Sequence, residues 1–461
     1  MMQLLAILVA ISLLGGALYM LWRPHWAILA ILLMFPFEQL LHAYVPSLLL
    51  TMGPLVNFTV GGVALSAVIS QFMGRESATV GLWNGTTISL LVLYVLTYLS
   101  VLYSPGAPYV SSRLGLAIPQ VLLMMIGGAV LAPRLDRLPA VFAAFMVIGT
   151  LLTLLILANP SATFMSGRLT LEFEMTGGQR GNPLAIADMG GTIAIVAALL
   201  RFRRASTLML AIRIAAFISG LGIALTSGSR GQVAATIVAV VLFFPVSRQT
   251  KNARQFILTA LGLIAVLGII YLTVDLFITD QNAARWSAEG AQEGIRDRFN
   301  RVALLLGAYL GSPGSWIQGL GINAFSEIWG EGSYVHNLVA EILAEQGLIG
   351  FTCLILAVRY AYRHGRRLWV AHASDPILRS AIATLLAVCA FQFLLSLKQG
   401  AFWGMPTFFM FLIMLARIGC RESILAAEQE TRRQYLSFWD PAVSTAYLED
   451  DETGESLPAT A

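Results

Sequence analysis

His336 is the residue in this sequence best suited to proton transfer. Asn337 and a long apolar run follow it, and a segment rich in glycine and serine, 311–332, precedes it. This order predicts a helix that starts just after the histidine, at the boundary between water and membrane. An imidazole there could exchange a proton with a substrate, or it could be only a capping or packed residue.

Two carboxylates follow the histidine within the predicted helix. Glu341 and Glu345 are four residues apart, so they lie on one helix face. They could orient the imidazole or hold an arginine. Alternatively, they line the interior of a helix bundle as structural pairs.

Two arginines lie in glycine-marked turns beside apolar runs. Arg180 is within 178–183, which ends in a proline suited to a helix start, and Arg230 is within 226–231, whose serines could cap a helix. A guanidinium fork and free backbone N–H groups suit phosphate oxygens. Each segment could instead be an ordinary turn, with its arginine reaching lipid headgroups.

Three further charged positions have weaker claims. Arg301 is a fourth candidate for the site, although a pair with Asp297 one helical turn earlier is the simpler interpretation. Asp188 and Arg213 fall within apolar runs, where ionisable side chains are usually paired. A buried pair between these two is therefore one possibility.

Composition places the chain in a membrane. Of its 461 residues, 57% are hydrophobic and 12% are charged, against roughly 25% charged in soluble domains. We expect an all-α polytopic protein, a bundle of about 12–13 transmembrane helices. The candidate spans are 3–22, 27–42, 54–73, 86–103, 115–132, 139–158, 183–200, 208–226, 231–247, 255–276, 338–358, 378–396 and 401–418.

Basic residues order these spans relative to the membrane. The basic loops follow the spans that end at 132, 200, 247, 358 and 418, and all fall on one side, which the positive-inside rule assigns to the cytoplasm. The outward segments are then 159–182, the turn near 227–230, the long loop 277–337, and the link around Lys398.

We divide the chain into four parts on this basis. They are N-terminal spans (1–276), a periplasmic loop with amphipathic helices (277–337), C-terminal spans (338–420), and a cytoplasmic tail that is part amphipathic helix and part disordered (421–461). Within the loop, 283–310 is expected to form helices at the membrane surface and 311–332 to be irregular.

No nucleotide-binding P-loop, HExxH metal motif or nucleotide-sugar module is present in the sequence. A reaction driven by a cytosolic nucleotide is therefore not expected, nor is nucleic-acid binding. The energy would come from the substrate itself, as in cleavage of a lipid diphosphate linkage.

Several of these segments resemble motifs of the bacterial O-antigen ligase/O-antigen polymerase superfamily of membrane glycosyltransferases. The matching segments, in chain order, are Arg180-Gly181-Asn182-Pro183, Ser229-Arg230-Gly231, Arg301 with 304–308, Gly319-Leu320-Gly321-Ile322-Asn323-Ala324-Phe325, Val335-His336-Asn337 and Glu345-Gln346-Gly347-Leu348-Ile349-Gly350. The motifs span roughly residues 170–360, and the hydropathy pattern extends the resemblance over most of the chain.

The resemblance implies a multi-pass enzyme of the bacterial inner membrane with its active site facing the periplasm. The donor would be a glycan on undecaprenyl diphosphate, and the acceptor a sugar hydroxyl of lipid A–core or of a growing glycan. Arg180 and Arg230 would bind the diphosphate, and His336 would be the general base. Asn337, Glu341 and Arg301 would support the site, which needs no metal or cofactor if arginines stabilise the charge.

Three functions stay open at this point. A ligase that attaches polysaccharide to lipid A–core is slightly favoured over a polymerase of O-antigen or exopolysaccharide repeat units, which shares its chemistry. A flippase or transporter of lipid-linked glycans would instead have charges spread through the membrane depth and internal repeats. The sequence shows neither feature.

Overall fold

A computed structural model describes residues 15–16, 18–45, 55–73, 79–172, 181–203, 206–248, 252–278, 283, 286–330, 333–399 and 402–439. Among them, nine helices are long and apolar enough to cross a membrane. Two shorter apolar helical stretches, Val121–Val130 and Pro183–Leu199, add to these. The chain is a polytopic helical membrane protein.

The helices follow one another with short connections. They are α1 (Ala27–Tyr44), α2 (Leu55–Met73), α3 (Gly85–Leu99), α4 (Ser111–Val130), α5 (Leu138–Leu157), α6 (Pro183–Leu199), α7 (Thr207–Thr226), α8 (Arg230–Arg248), α9 (Ala253–Phe277), α10 (Ala288–Leu310), α11 (Ala324–Trp329), α12 (Leu338–Ala371), α13 (Pro376–Gln399) and α14 (Pro406–Trp439).

Most predicted spans coincide with these helices to within a few residues. Two differ in length: α12 continues past the predicted end at 358 to Ala371, and α14 starts at Pro406 rather than at 401 and continues to Trp439. Most of the first predicted span, 3–22, and the tail beyond 439 lie outside the described residues.

The centre of the bundle is α6, which packs against α1, α5, α7, α8 and α13. Nearly all of its residues from Ile186 to Leu199 are buried, as expected for a helix that is apolar on every side. Gly190 of α6 faces Gly220 of α7, and a β-carbon at Gly190 would lie 2.5 Å from the Gly220 carbonyl oxygen. Small residues thus allow the two backbones to approach closely, as in other membrane helix pairs.

A short hairpin departs from the predicted all-α architecture. Strands β1 (Ala162–Met165) and β2 (Arg168–Leu171) pair antiparallel in the segment after α5. Ser166 and Gly167 both have positive φ, 48° and 71°, and form the two-residue turn. The sequence pattern did not predict this hairpin, because four-residue strands carry too little alternation to be recognised.

The long segment before α12 is more ordered than predicted. It contains α10, as expected for 283–310, but the stretch predicted as irregular also contains the short helix α11. A small buried cluster joins both helices to α12. Its members are Leu305, Tyr309, Phe325, Val335 and Ala344.

The two ends of α8 contact different helices and so mark the two ends of the bundle. Near its last residue, Arg248 donates from Nη2 to the Ala198 carbonyl at 3.1 Å, at the C-terminal end of α6. Near its first residues, Gln232 bonds Gln399, at the C-terminal end of α13. The hairpin, α10 and the start of α12 adjoin this second end, which we call the His336 end.

Candidate functional site

His336 immediately precedes the cap of α12 in a left-handed backbone conformation, with φ of 64°. Asn337 is the N-cap, and its Oδ1 accepts from the Ala340 N–H at 3.0 Å. The amide Nδ2 of the same residue donates to the Leu397 carbonyl at 3.3 Å, which joins the turn to α13. The His-Asn pair therefore starts the helix and fixes the position of the imidazole beside α13.

The imidazole lies against an aromatic ring. The ring centroids of Tyr334 and His336 are 4.0 Å apart, with the planes inclined by 53°. Burial raises the pKa of the Tyr334 hydroxyl, and the positive charges of Arg301, Arg298 and Arg168 oppose that rise. Both rings thus share one partly buried, positively charged environment.

Cations surround His336. Burial, followed by repulsion from Arg298 and Arg301, lowers its pKa to about 4, and Lys398 adds to this effect. Only Asp297 acts in the opposite direction among the named influences. At neutral pH the imidazole is therefore uncharged and able to accept a proton.

Arg301 forms the pair with Asp297 and also lies near His336. Its Nε donates to Oδ2 of Asp297 at 2.9 Å, which confirms the pair one helical turn apart. Its guanidinium also lies 4.9 Å from the ring centroid of Trp329, on α11. These two contacts orient the guanidinium while leaving it close enough to His336 to lower the histidine pKa.

Arg230 is the first residue of α8, after a turn in which Gly228 has φ of 62°. The serines of this turn were expected to cap the helix with their hydroxyls. Instead, the Ser227 hydroxyl donates to the Ala224 carbonyl at 2.7 Å and the Ser229 hydroxyl to the Ser227 carbonyl at 3.4 Å. The serines therefore stabilise the turn, in which Ser227 and Ser229 are buried.

Two glycines lie beside the cationic side chains at this end: Gly294 faces Arg230, and Gly231 faces Lys398. A β-carbon at Gly294 of α10 would lie 3.6 Å from Nη2 of Arg230. One at Gly231 would clash with the side chain of Lys398. The Lys398 Nζ donates to Oε1 of Gln232 at 2.8 Å, which holds the ammonium at the start of α8.

Arg180 lies outside the described residues, but the rest of its motif is visible. Pro183 is the first residue of α6, as predicted, and Asn182 caps it by accepting from the Leu184 N–H at 2.9 Å. The Gly181 N–H donates to the Leu171 carbonyl at 2.9 Å, at the end of β2. The motif thus joins the hairpin to the central helix.

Three cations at the site were not among the sequence candidates. Arg168 lies in β2, and its pKa is lowered by burial and then by repulsion from Arg298 and Arg230. Arg298 and Lys398 both lower the pKa of His336. All three nevertheless share one feature in the sequence: each lies in a segment predicted to face outward.

The two glutamates of α12 have structural contacts at the same end of the bundle. Glu341 accepts through Oε1 from the Phe402 N–H at 3.0 Å, while its buried Oε2 has no hydrogen-bond partner among the described residues. Glu345 accepts through Oε2 from the Asn323 N–H at 2.8 Å, at the start of α11. Glu345 is therefore a structural residue, and Glu341 keeps one buried oxygen for a further contact.

Gly347 interrupts α12. Its φ of 64° and ψ of −165° are not helical, and the loop before α11 enters the break. There the Leu348 N–H donates to the Trp316 carbonyl at 2.9 Å, and the Gly321 N–H to the Glu345 carbonyl at 2.9 Å. A β-carbon on Gly347 would clash with the Ile317 carbonyl. The Glu-Gln-Gly-Leu-Ile-Gly segment therefore positions the site rather than lining it.

The pair considered between Asp188 and Arg213 is wrong. Gln392 donates from Nε2 to Oδ1 of Asp188 at 2.6 Å, whereas Arg213 donates to the carbonyls of Ala197 at 2.9 Å and Ala198 at 3.2 Å. The two carbonyls that Arg213 contacts lie nine and ten residues after Asp188 in α6, so each side chain has a partner at its own depth.

No metal-binding cluster of three or more His, Cys, Asp or Glu occurs in the part of the chain that the structure describes. The site is instead rich in cations: Arg298, Arg301 and Lys398 lie near His336, and Arg168 lies near Tyr334. Arg230 lies near Arg168. Neither known protein families nor curated proteins gave a match to this chain.

Proposed function

We propose that this protein is a membrane glycosyltransferase that uses a lipid-diphosphate-linked glycan as donor. The observation that carries the proposal is that three cations, Arg298, Arg301 and Lys398, lie near one uncharged histidine. Arg168 lies near the adjacent Tyr334, and Arg230 lies near Arg168. Such a site suits a polyanion at one end of a helical bundle, and arginines match the oxygens of a diphosphate.

The reaction follows from these groups. His336 takes the proton of an acceptor sugar hydroxyl as its oxygen bonds to the anomeric carbon of the donor. The bond between that carbon and the diphosphate oxygen breaks, and the lipid diphosphate leaves with the electron pair. Arg230 and its neighbouring cations stabilise the negative charge that accumulates on the leaving group. Direct displacement of this kind inverts the anomeric configuration.

Arginine and lysine side chains provide the charge stabilisation that a divalent cation would otherwise supply. We therefore propose a metal-independent reaction without a cofactor. Asn337 positions the histidine by capping α12, and Arg301 contributes charge. Glu341 supports the site by accepting from the Phe402 N–H through Oε1. Arg180, which precedes the described Gly181, completes the proposed diphosphate site.

The proposed setting is the bacterial inner membrane, with the His336 end facing the periplasm. An O-antigen ligase transferring glycan to lipid A–core is the first form of this function, and a repeat-unit polymerase is the second. Both need the same base and the same cations, and they differ only in which hydroxyl approaches the imidazole. A transporter of lipid-linked glycans is less favoured, because the sequence shows no internal repeats.

The deciding experiment uses the purified full-length protein with an undecaprenyl-diphosphate glycan. Either lipid A–core or a second molecule of donor is offered as acceptor, and product is measured. We expect His336→Ala to lower transfer about 100-fold or more, as for loss of a general base. Arg296→Ala, on an exposed position of α10, is the charged control and should transfer normally.

The two acceptors distinguish ligase from polymerase. Product only with lipid A–core indicates a ligase, and product only with a second donor indicates a polymerase. Undiminished transfer by a correctly inserted His336→Ala protein would rule out the base. Movement of donor across a sealed membrane without any transfer product would favour the transporter.

A further inference from the structure

A second basic site lies at the end of the bundle opposite His336. It is a cavity of about 250 Å³ beside the first residues of α5. Its charged lining comes from three separate parts of the chain: the turn before α1, the loop between α4 and α5, and α14. The residues concerned are Arg23, His25, Arg134, Arg137 and Arg421.

Specific contacts hold these side chains around the cavity. Nη1 of Arg137 is 3.4 Å from Nδ1 of His25, which connects the α5 side of the cavity to the turn before α1. Nη2 of Arg421 donates to the Pro133 carbonyl at 2.8 Å, which connects α14 to the same loop. The cavity is thus a built feature of the fold, because its lining is fixed by contacts between distant segments.

The lining is strongly positive. No acidic side chain occurs among the described residues that line the cavity. Asp136, which does not line the cavity, forms an ion pair with Arg134 at 3.4 Å from its Nε, and its side chain is 62% exposed. Holding like charges together costs free energy that a bound anion would offset, most strongly where water is partly excluded. Arg421, 8% exposed, lies in such a place.

The remaining lining suits a phosphate group at a membrane boundary. Ser70 and Gln71 contribute polar side chains. Trp22 lies at the rim, 74% exposed, with the Arg23 guanidinium 5.1 Å from its ring centroid. Exposed tryptophan beside arginine is typical of the level of lipid headgroups. The cavity could hold about eight water molecules, which is ample for a phosphate and part of its ester group.

We infer that this cavity binds the phosphate group of an anionic ester, at a site separate from the one at His336. Two sources share this chemistry, namely the headgroup of an anionic phospholipid and a water-soluble phosphate compound. Basic pockets between helices at a membrane surface commonly bind such headgroups. The inference does not depend on the glycosyltransferase proposal.

Binding to the purified full-length protein in neutral detergent tests this site. The probes are dioctanoyl phosphatidylglycerol, dioctanoyl phosphatidylcholine and pyrophosphate, and native mass spectrometry counts what is retained. A change in tryptophan fluorescence on addition of the probe, which should be lost in Trp22→Phe, provides a second, local signal of binding. We expect Arg134→Gln/Arg137→Gln to weaken binding about 20-fold, since each arginine near a membrane surface contributes several-fold to anion affinity.

Arg366→Gln/Arg367→Gln is the matched control, because it removes the same charge from exposed positions of α12 that do not line the cavity. Its affinity should stay within about twofold of the wild type. Retention of phosphatidylglycerol but not phosphatidylcholine supports a lipid source, and retention of pyrophosphate alone supports a soluble one. No binding by wild-type protein, or equal weakening in both double variants, overturns the inference. Absence of binding by the wild-type protein overturns the inference by itself, whether or not a variant folds.

Discussion

His336 is a histidine in positively charged surroundings, and this determines when it can act as a base. Neighbouring guanidinium groups disfavour its protonated form, so its pKa is lowered to about 4, with burial as the largest cause. A diphosphate bound between those groups would cancel much of their charge. The imidazole would then become more basic once donor is bound, when a base is needed.

Arg298 provides a direct test of this environment. Arg298→Gln removes a positive neighbour, so the protonated imidazole is stabilised and the pKa of His336 rises from about 4 toward its usual value. A base is active only when unprotonated, so activity is lost as pH falls through that pKa. The acidic limb of the kcat/KM profile should therefore move to higher pH.

Arg296→Gln is the control for that shift, since it removes a charge from an exposed position on the same helix. Its acidic limb should coincide with that of the wild type. Labelled-histidine NMR, with His336 assigned by its absence in His336→Ala, measures the same pKa without turnover. An unmoved limb in Arg298→Gln would contradict the electrostatic account of this site.

Arg230 should not be replaceable by lysine. Lysine keeps the charge but loses the planar fork that can hold two phosphate oxygens at once. We expect Arg230→Lys to lower kcat/KM for the donor by about tenfold or more, while Arg254→Lys, an exposed position at the start of α9, leaves it unchanged. Equal kinetics in both variants would show that Arg230 contributes only a point charge.

Sequence reasoning found part of this site. His336 and Arg230 carried recognisable signals, namely an adjacent helix cap and a glycine-marked turn, and Arg301 lies in a segment that only resembles a family motif. Arg168, Arg298 and Lys398 carried none of these, because a lone cation in a loop or at a helix end looks the same whether it faces solvent or a site. Their inclusion depends on how β2, α10 and α13 pack, which local sequence does not encode.

At the level of elements, the break in α12 determines how the His336 end is assembled. The loop before α11 inserts at Gly347, and the backbone groups freed by the break bond to that loop. The first part of α12 can therefore carry His336 and Glu341 at an orientation independent of the longer second part.

Gly347→Ala should be markedly destabilising. The substitution forces an L-residue to φ of 64°, and its β-carbon would clash with the Ile317 carbonyl. We expect a loss of about 1–3 kcal/mol, visible as a lower Tm of the purified protein. Transfer should fall as well, because the strain lies in the same helix as Glu341, six residues after it.

Gly268→Ala is the contrasting substitution. Gly268 lies within α9, and a β-carbon there would meet nothing within 4 Å. Alanine favours a helix over glycine by about 0.5–1 kcal/mol, so the Tm should stay the same or rise slightly. If both substitutions lowered the Tm equally, the special role of the Gly347 backbone would be refuted.

Elements differ in how far the sequence predicts them. The spans were located well, because a membrane requires long apolar helices and little else in the sequence has that property. The β1–β2 hairpin and α11 were missed, since the two strands have four residues each and α11 has six. The end of α12 was placed too early, because its last turns carry arginines and extend beyond the apolar stretch.

On the scale of the whole molecule, the two ends differ in chemistry, and labelling can relate them to the membrane. In a protein with Cys353, Cys389 and Cys420 replaced by serine, we expect Arg230→Cys to react with an impermeant maleimide from the periplasm. Arg366→Cys should react only after the membrane is opened. The prediction rests on the positive-inside distribution of the basic loops.

Reaction of both cysteines from the same side would contradict the helical bundle itself. Reaction of Arg366→Cys alone in intact cells would invert the orientation and move the proposed chemistry to the cytoplasm. The cysteine-free parent protein, which should not react from either side, controls for non-specific labelling. Its transfer activity should equal that of the wild type, because none of the three cysteines belongs to the site.

The distance along the chain between the cations has a consequence for biosynthesis. Lys398 reaches back to Gln232, 166 residues earlier, and Arg168 lies earlier still. A nascent chain therefore inserts its first helices without a working site, and the site forms only after the ribosome has completed α13. The protein would stay inert toward the proposed lipid-linked donor until the membrane has received nearly all of the chain, so truncated products could not bind that donor unproductively.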